Sequence, residues 1–192
     1  MAVGRDELRV VLDREVRVPA FKDYCPNGLQ VEGRDEINVV VSGVTACQAL
    51  LDRAVGLKAD AVLVHHGYFW RGEDERLVGI KAQRIRTLLE ADINLFAYHL
   101  PLDCHPTLGN NAGLARAMGL HEWQGIDSDN LTHPVFCGSF DECTRLSDVV
   151  ARLEHELQRQ ALVVGDPETV IRSAAWCTGG GQGHVDDAAC FG

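Results

Sequence analysis

Short β-branched runs alternate, over the first 120 residues, with stretches whose apolar residues return every three or four positions. Ile37-Asn38-Val39-Val40-Val41-Ser42-Gly43-Val44 reads as a buried strand, since β-branched runs suit a sheet covered on both faces. Thr45, with Gln48 three residues on, has the form of a capping box. It places a helix from Ala46 to about Leu57, with Leu50, Leu51, Ala54 and Val55 inward. Ala61-Val62-Leu63-Val64-His65-His66 is a second strand, closed by Gly67 and followed by a charged loop over 71–76. Leu77 to Asp92 has helical spacing, its apolar residues at 77, 80, 85, 88 and 89. Ile93-Asn94-Leu95-Phe96-Ala97-Tyr98-His99 is a third strand, stopped by Pro101. A third helix follows, capped by Asn110 or Asn111 and ended after Met118 by Gly119. The sum is β-α-β-α-β-α with crossovers long enough to make the strands parallel, an α/β layered domain.

Residues 121–146 change character, with short runs broken by Gly, Pro, Asp and Asn that suggest irregular strands or loops of a smaller α+β insert. Ser147 looks like an N-cap for a helix from Asp148 to about Gln160. Val170 to Trp176 reads as a strand, and Gly179-Gly180-Gly181-Gln182-Gly183 leads into a helix from His184 to Phe191. The organisation expected is an N-terminal α/β lobe over 1–120, an inter-lobe segment over 121–170 and a returning α/β segment over 171–192.

Composition narrows the function classes. The chain has 192 residues, with 18 Lys+Arg against 28 Asp+Glu and a net charge of −10. That acidity argues against broad binding to nucleic acid or anionic membrane, because both attract clusters of Lys and Arg. No apolar stretch approaches the ~20 residues that span a bilayer. Seven cysteines without a CxxC or a regular spacing read as reduced thiols of a cytoplasmic protein.

The chemistry gathers at the ends of two expected strands. His65 and His66 close one, and His99 and Asp103 lie at and just past the other. Loops at the carboxyl ends of parallel strands collect side chains from several crossovers. Imidazole nitrogens with a carboxylate suit Zn²⁺, Mn²⁺ or Fe²⁺ better than Ca²⁺. Adjacent histidines in a strand point to opposite faces, so at a strand end they would serve two neighbouring ions, bridged by a carboxylate such as Asp103. The plain alternative for each is a hydrogen-bonded core or surface histidine. His105, before Pro106, reads as a loop residue, and His121, His133 and His155 as surface residues. The backbone N–H groups of Gly179–Gly183 can cradle an anion, or simply form a flexible turn. No GxSxG is present and Cys104 has no dedicated base, which makes side-chain nucleophilic catalysis the weaker idea.

Several motifs, taken in order, resemble one family. They are Asp23-Tyr24-Cys25-Pro26-Asn27-Gly28-Leu29-Gln30-Val31-Glu32-Gly33, Val64-His65-His66-Gly67-Tyr68-Phe69-Trp70, and His99-Leu100-Pro101-Leu102-Asp103-Cys104-His105-Pro106. Gly109-Asn110-Asn111 and Ala175-Trp176-Cys177-Thr178-Gly179-Gly180-Gly181-Gln182 complete the set. Together they resemble the GTP cyclohydrolase I type 2 homologues, the Nif-three-like dinuclear metal proteins. The resemblance implies a two-lobed α/β subunit, two divalent metal ions per complete subunit and a homohexamer. It makes His65, His66 and Asp103 metal ligands, with His99 an additional or outer one. It also implies a later His, and a Glu four residues beyond it, which the sequence does not reach by Gly192; the expectation is a fragment of a longer product. Two functions follow. One is a metal-dependent hydrolase acting on a small nucleotide-like or phosphorylated substrate, with Gly179, Gly180, Gly181 and Gln182 orienting an anionic group. The other is a metal-binding, metal-delivery or regulatory ring protein, to which Cys25, Cys104 and Cys177 would add soft ligands.

Overall fold

The β-branched runs of the first hundred residues form three parallel strands of one sheet. The computed structural model describes residues 2–191, and the chain divides into two compact units, 1–101 and 102–192. In the first, β1 (Val3–Gly4) leads into α1 (Arg5–Glu15), followed by β2 (Gly28–Val31), β3 (Glu36–Ile37) and β4 (Val40–Thr45). Then come α2 (Gln48–Gly56), β5 (Ala61–His66), α3 (Gly79–Glu90) and β6 (Asn94–Ala97). The main sheet has the order β2-β6-β5-β4; β4, β5 and β6 run parallel, and β2 joins β6 antiparallel. β1 and β3 form a separate antiparallel pair.

The core packs β5 and β6 against the two crossover helices. Val62, Val64, Leu95 and Ala97 meet Leu51, Ala54, Ile85 and Leu88, all buried. Two buried polar side chains pin the start of this sheet. Asp60 accepts hydrogen bonds from the backbone N–H groups of Asn38 (2.8 Å) and Val39 (2.9 Å) and from the Arg34 guanidinium (2.9 Å). Asn94, wholly buried, accepts from the Gly33 N–H and donates to the carbonyls of Arg34 and Asp60. Each group thereby meets the requirement that buried polar atoms be paired.

Three local expectations are corrected here. The strand expected to be buried, β4, is an edge strand with Val40 and Val44 exposed; β-branched composition marks a strand but not its lateral place in the sheet. The residue preceding α2 is Cys47, and no side chain caps the helix. Thr45 instead lies in β4, its hydroxyl 3.3 Å from Nδ1 of His66, while Gln48 donates to Asp52 and Thr87. Of the apolar residues that predicted the next helix, only Ile85 and Leu88 are buried; Leu77, Ile80 and Leu89 are exposed.

The second unit is antiparallel. The short helix α4 (Leu100–Asp103) spans the division, and α5 (Asn110–Met118), β7 (Gln124–Gly125), β8 (Phe136–Arg145), α6 (Leu146–Leu157), β9 (Val170–Trp176) and α7 (Val185–Ala189) follow. The sheet order is β7-β8-β9. Gly119 ends α5 in the left-handed region at φ 85°, as its sequence position predicts. Ser147 does not cap α6: Arg145 holds that position, and the Ser147 N–H donates to the Pro167 carbonyl. The run expected to be broken contains a ten-residue strand, β8, whose register against β9 shifts between Ser139 and Thr144. Most of the residues that look like loop breakers in sequence, Asp127, Asp129, Asn130 and Pro134, lie in the turns between β7 and β8. The described residues thus form a mixed α/β fold with parallel and antiparallel sheets. No helix is long and apolar enough to cross a membrane among them.

Candidate functional site

β5 ends at His65 and His66, and β6 ends two residues before His99, so parallel pairing brings the carboxyl ends of neighbouring strands together. One ring nitrogen from each of His65, His66 and His99 lies within 4.8 Å of the others. The ring centroids of His65 and His66 are 4.3 Å apart, and His99 stands 5.1 Å from the first and 5.7 Å from the second. The strict alternation expected for adjacent strand residues is therefore lost at this strand end, where the two rings converge.

Hydrogen bonds fix these rings in ways that matter for ligation. His65 Nδ1 is 2.9 Å from the Tyr98 carbonyl. A carbonyl only accepts, so the ring carries its proton on Nδ1 and its coordinating lone pair on Nε2. His99 Nδ1 is 2.8 Å from Oδ1 of Asp23. The Asp23 side chain is 2% exposed. Burial alone would raise its pKa, but hydrogen bonds from His99, Asn27 Nδ2 and the N–H groups of Leu100 and Tyr24 bring it down to about 2. Asp23 is thus an acceptor at neutral pH, and His99 likewise presents Nε2. A carboxylate holding the far nitrogen of a histidine is the usual outer support of a metal-binding imidazole.

The wall around the cluster comes from the two motifs on either side. Trp70 packs edge-on against His99 at 4.9 Å and lies 5.9 Å from His66. Gln30 accepts from the Tyr68 N–H and donates to the carbonyls of Pro26 and Tyr68, tying the segment before β2 to the turn after β5. Gly67 is required there by space: a Cβ would run into Gln30 and stand 2.7 Å from the Cβ of Ala97. Cys25 is also close, forming a group with Asp23 and His99. Burial, helped by the Asp23 charge, pushes its thiol up to about 12, which makes it a protonated packing residue rather than a ready soft ligand.

Asp103 belongs to the second unit. Its Oδ1 accepts hydrogen bonds from Asn110 Nδ2 (2.7 Å) and the Thr178 hydroxyl (3.3 Å). Asn111 braces the same region. It donates to the carbonyls of Asp103 and Pro134, accepts from the Thr178 N–H, and offers its own carbonyl to the Trp176 indole. Gly179 lies at φ 70°, and Gly181 and Gln182 open a 3-10 turn, Gly181–His184, into α7. A Cβ on Gly181 would come within 2.7 Å of the Cys177 Cβ. His105 is a loop residue but a buried one, its Nδ1 accepting from the Thr107 and Leu108 N–H groups. His133 is not the surface residue expected: its side chain is 19% exposed and its ring packs beside His184. Sequence reasoning also passed over Asp23, Asn27 and Trp70 as individual functional side chains. Asp23 and Asn27 stand in a motif near the start of the chain, and nothing local shows that they meet His99 more than seventy residues later.

The family model Duf34/NIF3 (NGG1p interacting factor 3) matches residues 3–192. The chain belongs to this family. A GTP cyclohydrolase 1 type 2 homolog of Pseudomonas aeruginosa is 48% identical over 192 residues, which are 100% of this chain and 76% of the relative. A Yersinia pestis protein of the same description is 50% identical over 190 residues, covering 97% of this chain and 74% of the relative. Among solved structures, the protein ybgI, described as of unknown function, superposes with a TM-score of 0.90 at 47% identity, over 99% of this chain and 75% of that one. The NIF3 fold is therefore shared across the described residues of both units, including the segment from 121 to 170 where the motif resemblance is weakest.

Proposed function

We propose that this NIF3-family chain is a divalent-metal protein, and that His65, His66 and His99 hold the metal in a hydrolase for small nucleotide-like or phosphorylated substrates. The observation that carries the reading is the convergence of the three rings, two of which direct Nδ1 to a backbone or carboxylate acceptor. Neutral imidazoles at strand ends suit Zn²⁺, Mn²⁺ or Fe²⁺. A divalent ion there would supply Lewis acidity toward a substrate oxygen. The chain's own residues do the positioning. Asp23 orients His99, the Tyr98 carbonyl orients His65, and the Trp70 ring packs edge-on against His99. Two ions per subunit and a ligand role for Asp103 enter through the family motifs, and metal analysis on Asp103→Asn tests that role.

The decisive experiment measures metal content and turnover on a panel of nucleotides and phosphate esters, with the full-length protein. Metal should be lost in a His65→Ala/His66→Ala double variant, and unchanged content would sink the site. Asp23→Asn should weaken metal binding by about 10- to 100-fold, as loss of an outer carboxylate does elsewhere. Metal binding without turnover above the double variant's background would replace the hydrolase by a metal-storing, metal-delivering or regulatory protein.

A further inference from the structure

A second group of metal-ligating side chains lies in the second unit, on residues the proposed function does not use. His133 precedes β8, His184 closes the 3-10 turn after the glycine run, and Asp187 sits in α7. One ligand atom from each lies within 4.8 Å of the other two. Oδ2 of Asp187 is 3.0 Å from Nδ1 of His184 and 3.5 Å from Nε2 of His133, and the two rings meet edge to face with centroids 5.4 Å apart. Donor atoms bound ~2.0–2.1 Å from a zinc ion, at roughly 90–109° to one another, are themselves ~2.8–3.4 Å apart. The carboxylate-to-imidazole spacings, 3.0 and 3.5 Å, lie at or close to that range, so the ligand atoms need shift only slightly to share an ion.

The surroundings agree. His133 Nδ1 accepts the Val135 N–H at 3.3 Å, which fixes the ring and aims Nε2 at Asp187. A cavity of about 460 Å³ opens beside His133 and Asp187 and is lined also by Asp127 and Cys190. It gives room for water or a further ligand.

We propose that His133, His184 and Asp187 form a second transition-metal site, of the Zn²⁺ type. Two nitrogens and one carboxylate select a borderline ion over Ca²⁺ or Mg²⁺, which prefer oxygen shells. On binding, the proton of each ring moves to its other nitrogen, so that Nε2 of His133 and Nδ1 of His184 carry the coordinating lone pairs, both imidazoles stay neutral, and His133 gives up the hydrogen bond it accepts from Val135. The ion ties the glycine-rich turn to the segment that feeds β8, and its role is a staple for that turn.

The test is a zinc titration against a chromophoric chelator, with the full chain carrying His65→Ala/His66→Ala so that the first cluster is silent. That protein should still take up one zinc ion. Its affinity should fall about tenfold or more in His184→Ala and in Asp187→Ala, both partly exposed positions that leave the core intact. Zinc should raise the melting temperature of the parent and leave those variants unmoved. No uptake by the parent, or a loss smaller than about tenfold in both variants, overturns the site. Failure of the first cluster would appear separately, as unchanged metal content when His65 and His66 are removed from the otherwise natural chain.

Discussion

Asp60 shows how one buried carboxylate serves the sheet that carries the histidines. Burial raises its pKa, but the N–H groups of Asn38 and Val39 and the Arg34 guanidinium outweigh burial and hold it below the usual carboxylate value. A folded pKa lowered in this way contributes stability that is present above the unfolded carboxylate value and lost as pH falls through the folded one. Asp60→Asn keeps the shape, removes the charge and brings an amide group toward three donors. We expect a loss of about 1–3 kcal/mol at neutral pH. In urea titrations the gap between the natural chain and this variant should close as pH drops below 4. A gap that stays constant down to the acid limit would mean that the charge of Asp60 contributes nothing.

At the level of elements, the helix periods and strand runs were legible because each depends on neighbours a few residues away. The β6 run is a fully covered strand and β5 a largely covered one, Gly119 ends α5, and Val170–Trp176 forms β9 over the expected span. The capping box was not what it looked like. Thr45 is held in β4 by pairing with His66, and the tertiary ladder overrides a local four-residue signature. Thr45→Ala should therefore cost less than about 0.5 kcal/mol of folding stability, where a true N-cap would cost about 1. Equilibrium denaturation distinguishes the two, and a loss near 1 kcal/mol would restore the cap. Helix α3 makes the same point from the other side. Four of the five apolar positions fall within it, but only packing into the common core with Leu51, Val62 and Leu95 selects Ile85 and Leu88 as the buried pair.

For the molecule as a whole, the net charge of −10 bears on self-association. The family resemblance leads us to expect a homohexamer, which has to bring six acidic copies together. Like charges on separate copies repel over a Debye length of about 8–10 Å at 0.1–0.15 M salt. Native mass and sedimentation should accordingly show six copies at physiological ionic strength and partial dissociation at low salt. A monomer at every ionic strength would refute this assembly.

By itself the sequence determined the alternation of strand and helix, the acidic surface, and the motifs that place the chain in its family. All of these are local patterns or ordered sets of residues. His65, His66 and His99 were legible as candidates, because histidines at strand ends stand out against apolar runs. Only the tertiary structure decided which groups support them. Asp23 and Asn27 reach His99 across more than seventy residues, and His133 meets Asp187 across more than fifty. Such contacts have no period in the chain. They exist because β2 pairs antiparallel with β6 in one unit, and because the turn after β9 returns to the segment before β8 in the other.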